Sequence, residues 1–135
     1  MTSECRYLLF TSILTGCLWI PVIVGRVMSR GFIQAIDYKI APTSALPHWV
    51  NRANRAHINA VESLAPFAAV VLIGQAFSVS SPVCALAAAI FFFARLVHAV
   101  LHVSGFSLFR ARTLVFSIGW SAFMGFSVEV LRRAG

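Results

Sequence analysis

The middle of the chain contains a long stretch, from Ser63 to Ala94, in which no residue is charged. A charged group placed in the hydrocarbon of a bilayer costs several kcal/mol, so membrane-spanning segments exclude such residues unless they serve a function. Over the whole chain 59% of residues are hydrophobic and 11% are charged, whereas soluble domains carry about 25% charged residues. The sequence therefore predicts an all-α integral membrane protein.

Four apolar segments are each close to the roughly 20 residues that cross hydrocarbon as a helix. Pro21 should kink the first of them, and Pro82 suits the first position of the third. We therefore predict a single domain over residues 1–135, a four-transmembrane-helix bundle. Its helices are predicted at about residues 6–28, 52–77, 83–103 and 112–131.

Basic residues give the chain a net charge of +7, and they fall mainly at the ends of the apolar segments. No basic stripe interleaved with aromatic residues is present, so nucleic-acid binding is not expected. The first and third connections are the more basic, which favours a cytoplasmic location for them and places both termini on the opposite side. These connections and their boundaries contain Arg30, Lys39, Arg52, Arg110 and Arg112.

The three cysteines, Cys5, Cys17 and Cys84, show no CxxC spacing. They predict neither a disulfide framework nor a metal site.

The second segment begins with a polar stripe. At 100° per residue, Arg55, Asn59 and Glu62 fall within about 60° of one another on a helix. A face that combines a cation, an amide and a carboxylate suits a zwitterionic ligand, because both signs of charge find partners. The alternative is an internal network in which Arg95 neutralises Glu62, as buried charges are often paired.

The third segment carries a second stripe, with Arg95, His98 and His102 at positions i, i+3 and i+7. The two histidines have the spacing of a zinc pair, but no third ligand accompanies them, so no metal is predicted. Hydrogen-bond donors that line a ligand cleft fit this pattern better. We expect this stripe to face the stripe of the second segment.

Arg112 and Thr113 open the fourth segment. They serve either as a basic membrane anchor or as an anion site at a helix N-terminus, where backbone N–H groups also point. Arg26, at the end of the first segment, has the same two interpretations.

These residues together resemble a known family. The pattern Arg55-Ala56-His57-x-Asn59-x-x-Glu62-x-x-x-Pro66-Phe67, the later Ala94-Arg95-x-x-His98 and the pair Arg112-Thr113 are similar to the MAPEG family, the membrane-associated proteins of eicosanoid and glutathione metabolism. The order and spacing extend over nearly the whole chain. Trp19-Ile20-Pro21, Gly25-Arg26 and Arg30-Gly31 resemble the short prokaryotic branch, which implies a location in a bacterial inner membrane.

The resemblance implies a homotrimer of four-helix subunits that binds glutathione, as a cosubstrate, in a cytoplasm-facing cleft between neighbours. It implies that glutathione is held by Arg26, Arg55, Asn59, Glu62, Arg95, His98 and His102. Arg112 matches the arginine that stabilises the glutathione thiolate, and Thr113 stands where some relatives have a serine hydroxyl. The implied function is a transferase or peroxidase for lipophilic electrophiles or peroxides that arrive from the membrane lipids.

Two positions depart from the family pattern. His102 stands where tyrosine is common, which changes the hydrogen-bond donor beside the ligand. Ile58 replaces an arginine used for glutathione in one prostaglandin-synthesising branch, which argues against that branch.

Two other functions stay open from the sequence. One is a non-catalytic binding or scaffold protein that retains the same fold. The other is a small multidrug-type transporter. Such transporters place an essential glutamate in the first helix, and no acid is predicted within the first span here.

Overall fold

The computed structural model describes residues 1–32, 46–106 and 110–135. Within these ranges all regular structure is helical, and four helical segments are long and apolar enough to cross a membrane. This confirms the predicted all-α membrane bundle. The helices are α1 (Ser3–Cys17), α2 (Trp19–Arg30), α3 (His48–Ala76), α4 (Pro82–Ser104) and α5 (Ala111–Ala134). The predicted connection residue Lys39 lies outside the described residues.

The first span is divided into α1 and α2 at Leu18. Pro21 has no N–H to offer the carbonyl of residue 17, and its ring crowds that carbonyl, so the helix is interrupted one turn before the proline. The interruption thus lies where Pro21 was predicted to disturb the first span. The span also begins earlier than predicted, at Ser3, because the Thr2 hydroxyl caps it by accepting from the Cys5 N–H at 3.4 Å. Glu4 thereby lies inside the span, contrary to the expectation that this span contains no acid.

The predicted start of the second span near Arg52 is also too late. Helix α3 begins at His48, directly after Pro47, whose extended backbone stands at the N-cap position. Proline disfavours helical backbone in the residue before it, so the helix does not readily extend back past Pro47. Asn51 and Arg52 are consequently helical and belong to the first turns of α3.

Helix α4 is fixed at both ends. The Ser81 hydroxyl accepts from the Cys84 N–H at 3.1 Å, and Pro82 occupies the first turn as predicted. At the other end Gly105 adopts the left-handed conformation, with φ of 72°. Arg52 packs so closely on Gly105 that an added Cβ would lie 2.8 Å from its guanidinium carbon. This contact joins the end of α4 to the beginning of α3.

The main core lies between α3, α4 and α5. Phe67 of α3 stacks on Phe91 of α4 with ring centroids 3.9 Å apart, and Phe126 of α5 meets Phe67 edge-on at 6.3 Å. All three rings are almost completely buried. Close packing of this kind stabilises helix pairs in membranes, where lipid removes much of the hydrophobic driving force.

Polar contacts close the end of the bundle that carries both termini. Glu4 accepts a hydrogen bond from Ser80 at 3.0 Å, and Glu129 accepts one from Ser81 at 3.2 Å. Glu129 also forms ion pairs with Arg132, at 2.8 Å, and Arg133. These contacts tie α1 and α5 to the turn between α3 and α4.

Candidate functional site

A polar recess opens where α3 begins, α4 ends and α5 begins. It has a volume of about 490 Å³. It is lined by His48, Asn51, Arg52, Asn54, Arg55, His102 and Arg112. Three of these residues are arginines and none is acidic, so the lining attracts anions.

A second, aromatic recess lies further along α3, with a volume of about 240 Å³. It is lined by Asn59, Glu62, Ser63, Pro66, Phe91, Arg95, Phe116, Trp120 and Phe123. Pro66 cannot donate to the carbonyl of Glu62, so that carbonyl loses its partner within the helix. Glu62 and Arg95 give the recess both signs of charge beside its apolar walls.

Arg95 supplies the cation of the aromatic recess and is deeply buried, with 5% of its surface exposed. Its guanidinium carbon lies 5.1 Å from the ring centroid of Phe91 and 4.8 Å from that of Phe116, so aromatic faces hold the cation on two sides. Its Nη1 donates to Asn59 Oδ1 at 3.3 Å. Within the described residues its Nε is buried without a hydrogen bond, and no ion pair joins Arg95 to Glu62. The internal network expected as the alternative therefore runs through Asn59, not Glu62.

His98 connects the two recesses along α4. Its ring centroid lies 4.6 Å from that of His102, which lines the polar recess, and 5.9 Å from that of Phe116, which lines the aromatic recess. His98 itself is buried, with 6% exposure. On α3, Arg55 and Asn59 are one turn apart, a rise of about 6 Å. The two recesses are thus neighbours along one pair of helices.

The structure brings together most of the residues that the sequence singled out. Arg55, His102 and Arg112 line the polar recess, and Asn59, Glu62 and Arg95 line the aromatic one. His98 stands between them. The two remaining candidates, Arg26 and Thr113, are exposed and line neither recess.

Other lining residues were not found from the sequence. In the polar recess these are His48, Asn51, Arg52 and Asn54, which were assigned to the connection or to the very start of the helix. In the aromatic recess they are mainly Phe91, Phe116, Trp120 and Phe123. The helix start directly after Pro47 was the signal for the first group. The aromatic residues gave no comparable signal, because an apolar side chain in a membrane helix can equally face lipid.

Comparison with known protein families decides the classification. The model of the MAPEG family matches residues 7–132. The chain belongs to the MAPEG family. Among curated proteins and among solved structures, none matches the chain.

The matched residues cover almost the entire chain and include every residue that lines the two recesses. It assigns the protein to a membrane family associated with glutathione, with activities of the transferase and peroxidase type. The resemblance deduced from Arg55, Asn59, Glu62 and the later motifs is thereby confirmed at the level of the family.

Proposed function

We propose that this protein is a glutathione-dependent membrane transferase or peroxidase that acts on lipophilic electrophiles or peroxides. The observation that carries the proposal is that two recesses, one cationic and one aromatic, lie next to each other along α3 and α4. The first suits a charged peptide thiol and the second suits an apolar reaction partner.

The dimensions of the site agree with a tripeptide. Three extended residues span about 10 Å, and the rise along α3 from Arg55 to Glu62 is also about 10 Å. A peptide laid beside this stripe would have one end among the arginines of the polar recess and the other beside Glu62.

The charges agree as well. Glutathione carries two carboxylates and one ammonium group. Arg55 and Arg52 supply guanidinium groups for a carboxylate, to which charge-assisted hydrogen bonds are strong. Glu62 supplies the complementary charge for the ammonium group. The guanidinium of Arg95, whose Nε is buried without a hydrogen bond, provides a further cation for the second carboxylate.

Arg112 has the role of stabilising the thiolate. Only the thiolate form of a thiol is a good nucleophile, and a cation in a water-poor site stabilises the anion. Arg112 lines the polar recess, whereas Thr113 does not. The proposed role of Thr113 is therefore limited to its place in the first turn of α5, next to Arg112. The thiolate attacks a substrate bound against the rings of the aromatic recess.

The proposal includes orientation and assembly. Basic residues surround the polar recess, so by the distribution of positive charge this end of the bundle faces the cytoplasm of a bacterial inner membrane, with both termini outside. The subunits form a homotrimer in which the cleft lies between neighbours. A phosphatase that is active only outside the cytoplasm, fused to the C-terminus, is expected to be active; inactivity would reverse the orientation.

The decisive experiment is calorimetric titration of the detergent-solubilised protein with glutathione. Arg55→Ala and Glu62→Ala should each weaken binding about tenfold to a hundredfold, since hydrogen bonds to charged groups contribute about 1.5–3 kcal/mol. Arg6→Ala is the matched control, because Arg6 is exposed at the opposite end of the bundle. Wild-type protein that does not bind glutathione would refute the proposal.

A truncated ligand sharpens this test. The truncated ligand N-acetyl-Cys-Gly has no ammonium group, so Glu62→Ala should cost nothing further with it, while Arg55→Ala should still weaken binding. Turnover of 1-chloro-2,4-dinitrobenzene with glutathione then distinguishes an enzyme from a non-catalytic binding protein. Binding without turnover of this or any other electrophile tested would assign the protein to the non-catalytic alternative.

A further inference from the structure

The polar recess must do more than hold an anion if a thiol is to react there, because the thiol proton needs an acceptor. The three arginines of the lining remain protonated in proteins and cannot accept it. The lining contains two imidazoles, His48 and His102. Imidazole is the side chain whose protonation changes near neutral pH.

The two histidines differ in position. His48 is the first residue of α3 and is exposed. It lies about 10 Å along the helix from Arg55, toward the end of the bundle. His102 is half-buried in the last turn of α4, and its ring packs on the buried ring of His98. The contact with His98 holds the His102 ring beside the recess.

Charged and titratable groups face His102 from every helix around it. Arg112 lies on α5, and Arg52, Arg55 and His48 lie on α3, all lining the same recess. His98 is on its own helix, with Arg95 a further turn away. An imidazolium in such surroundings is opposed by like charges, unless an anion forms at the same moment.

Resting on the function proposed above, we infer that His102 is the base that takes the thiol proton of glutathione. The S–H bond breaks, its electron pair stays on sulfur, and the proton passes to the unprotonated ring nitrogen of His102. The thiolate and imidazolium form together, so the net charge of the occupied recess does not change. Arg112 stabilises the thiolate, and His102 supplies the acceptor that no arginine can supply.

The remaining step is balanced in the same way. With 1-chloro-2,4-dinitrobenzene, sulfur forms a bond to the ring carbon that bears chlorine, and chloride leaves with the electron pair of the C–Cl bond. The imidazolium then returns its proton to water. One proton and one chloride are released for each conjugate formed.

Counting protons on binding tests the inference. At pH 7.5 roughly nine-tenths of an ordinary imidazole is neutral and roughly nine-tenths of a free thiol is protonated. Glutathione is mixed with the protein in weak buffer containing an indicator dye, while ultraviolet absorbance reports the thiolate. Wild-type protein should form thiolate with close to zero protons released per thiolate, because His102 retains the proton.

In His102→Gln the thiolate should fall at least tenfold, and whatever forms should release about one proton each. His57→Gln, outside both recesses, should behave as wild type. His48→Gln, inside the polar recess, should still release close to zero protons per thiolate, whatever its effect on affinity. Binding of S-methylglutathione, which has no thiol proton, shows that each variant is folded and lets thiolate formation be compared at equal occupancy.

The possible failures are distinguishable. Release of about one proton per thiolate by the wild type would overturn the role of His102 without requiring any variant to fold. If His48→Gln alone raised the number of protons released per thiolate, the base would be His48 and not His102. Glutathione that binds without forming thiolate would also remove the role of His102, while leaving binding intact. Absence of binding would refute the proposed function itself.

Discussion

At the scale of single residues, Arg95 combines deep burial with the lack of a carboxylate partner in the described part of the chain. A cation inside a membrane helix is costly. Two phenylalanine faces and the amide of Asn59 offset part of this cost. The rest is explained if the residue is kept for a ligand.

Replacing Arg95 by methionine should therefore separate stability from binding. Met fills much of the same volume without burying a charge, so the thermal midpoint in detergent should stay equal or rise. Glutathione affinity should fall at least tenfold. Arg6→Met, at the opposite end of the bundle, should change neither quantity. A midpoint that falls by more than about 5 °C would show that Arg95 is chiefly structural.

At the scale of secondary-structure elements, the pairing of α4 and α5 sets the position of this cation. Gly119 of α5 is buried against α4, and a Cβ added there would lie 3.3 Å from Ala94 Cβ and 3.4 Å from Arg95 Nε. Gly125, on the same helix, has nothing within 4 Å of such an atom. Within the subunit, α4 therefore approaches α5 closely at Gly119, whereas Gly125 has no such neighbour.

The pair of glycines gives a matched prediction. Gly119→Ala should displace the guanidinium by a few tenths of an ångström and weaken glutathione binding several-fold. Gly125→Ala should leave binding unchanged and raise the thermal midpoint, because alanine favours a helix over glycine by about 1 kcal/mol. Calorimetry and thermal unfolding of both variants check this. Equal effects on binding would show that the contact with Gly119 does not position Arg95.

How far the sequence predicts the site depends on the kind of element. The stripes of Arg55, Asn59 and Glu62 and of Arg95, His98 and His102 were predictable, because helical spacing alone assigns residues to a face. Pro21 likewise predicted the interrupted first span. The division into two recesses was not predictable, since it depends on how α5 brings Phe116 and Trp120 over Arg95, and apolar spacing does not specify the neighbour of a membrane helix.

At the scale of the whole molecule, the position of Glu62 bears on the proposed assembly. It is the middle residue of α3 and is exposed on the subunit surface. A carboxylate at such a position facing hydrocarbon would cost several kcal/mol. Cover from a neighbouring subunit removes this cost, in agreement with the proposed homotrimer.

Native mass spectrometry from mild detergent should therefore show a particle of three chains of 14.7 kDa each. Glu62→Leu should leave the assembly intact or strengthen it, because the substitution removes a carboxylate from the contact. A monomer in both detergent and lipid nanodiscs would contradict the trimer and leave the exposure of Glu62 unexplained.

The rings of Phe116 and Trp120 at the mouth of the aromatic recess have a consequence for enzymology. Both are exposed on the membrane-spanning part of the subunit, so a lipophilic reactant reaches them after it has partitioned from water into the lipid. This transfer is favoured by about 0.8 kcal/mol for each buried methylene. The concentration that sets the rate is then the mole fraction of the reactant in the lipid or micelle. Apparent KM values in bulk molar units should grow in proportion to added detergent, whereas those for the water-borne thiol should not.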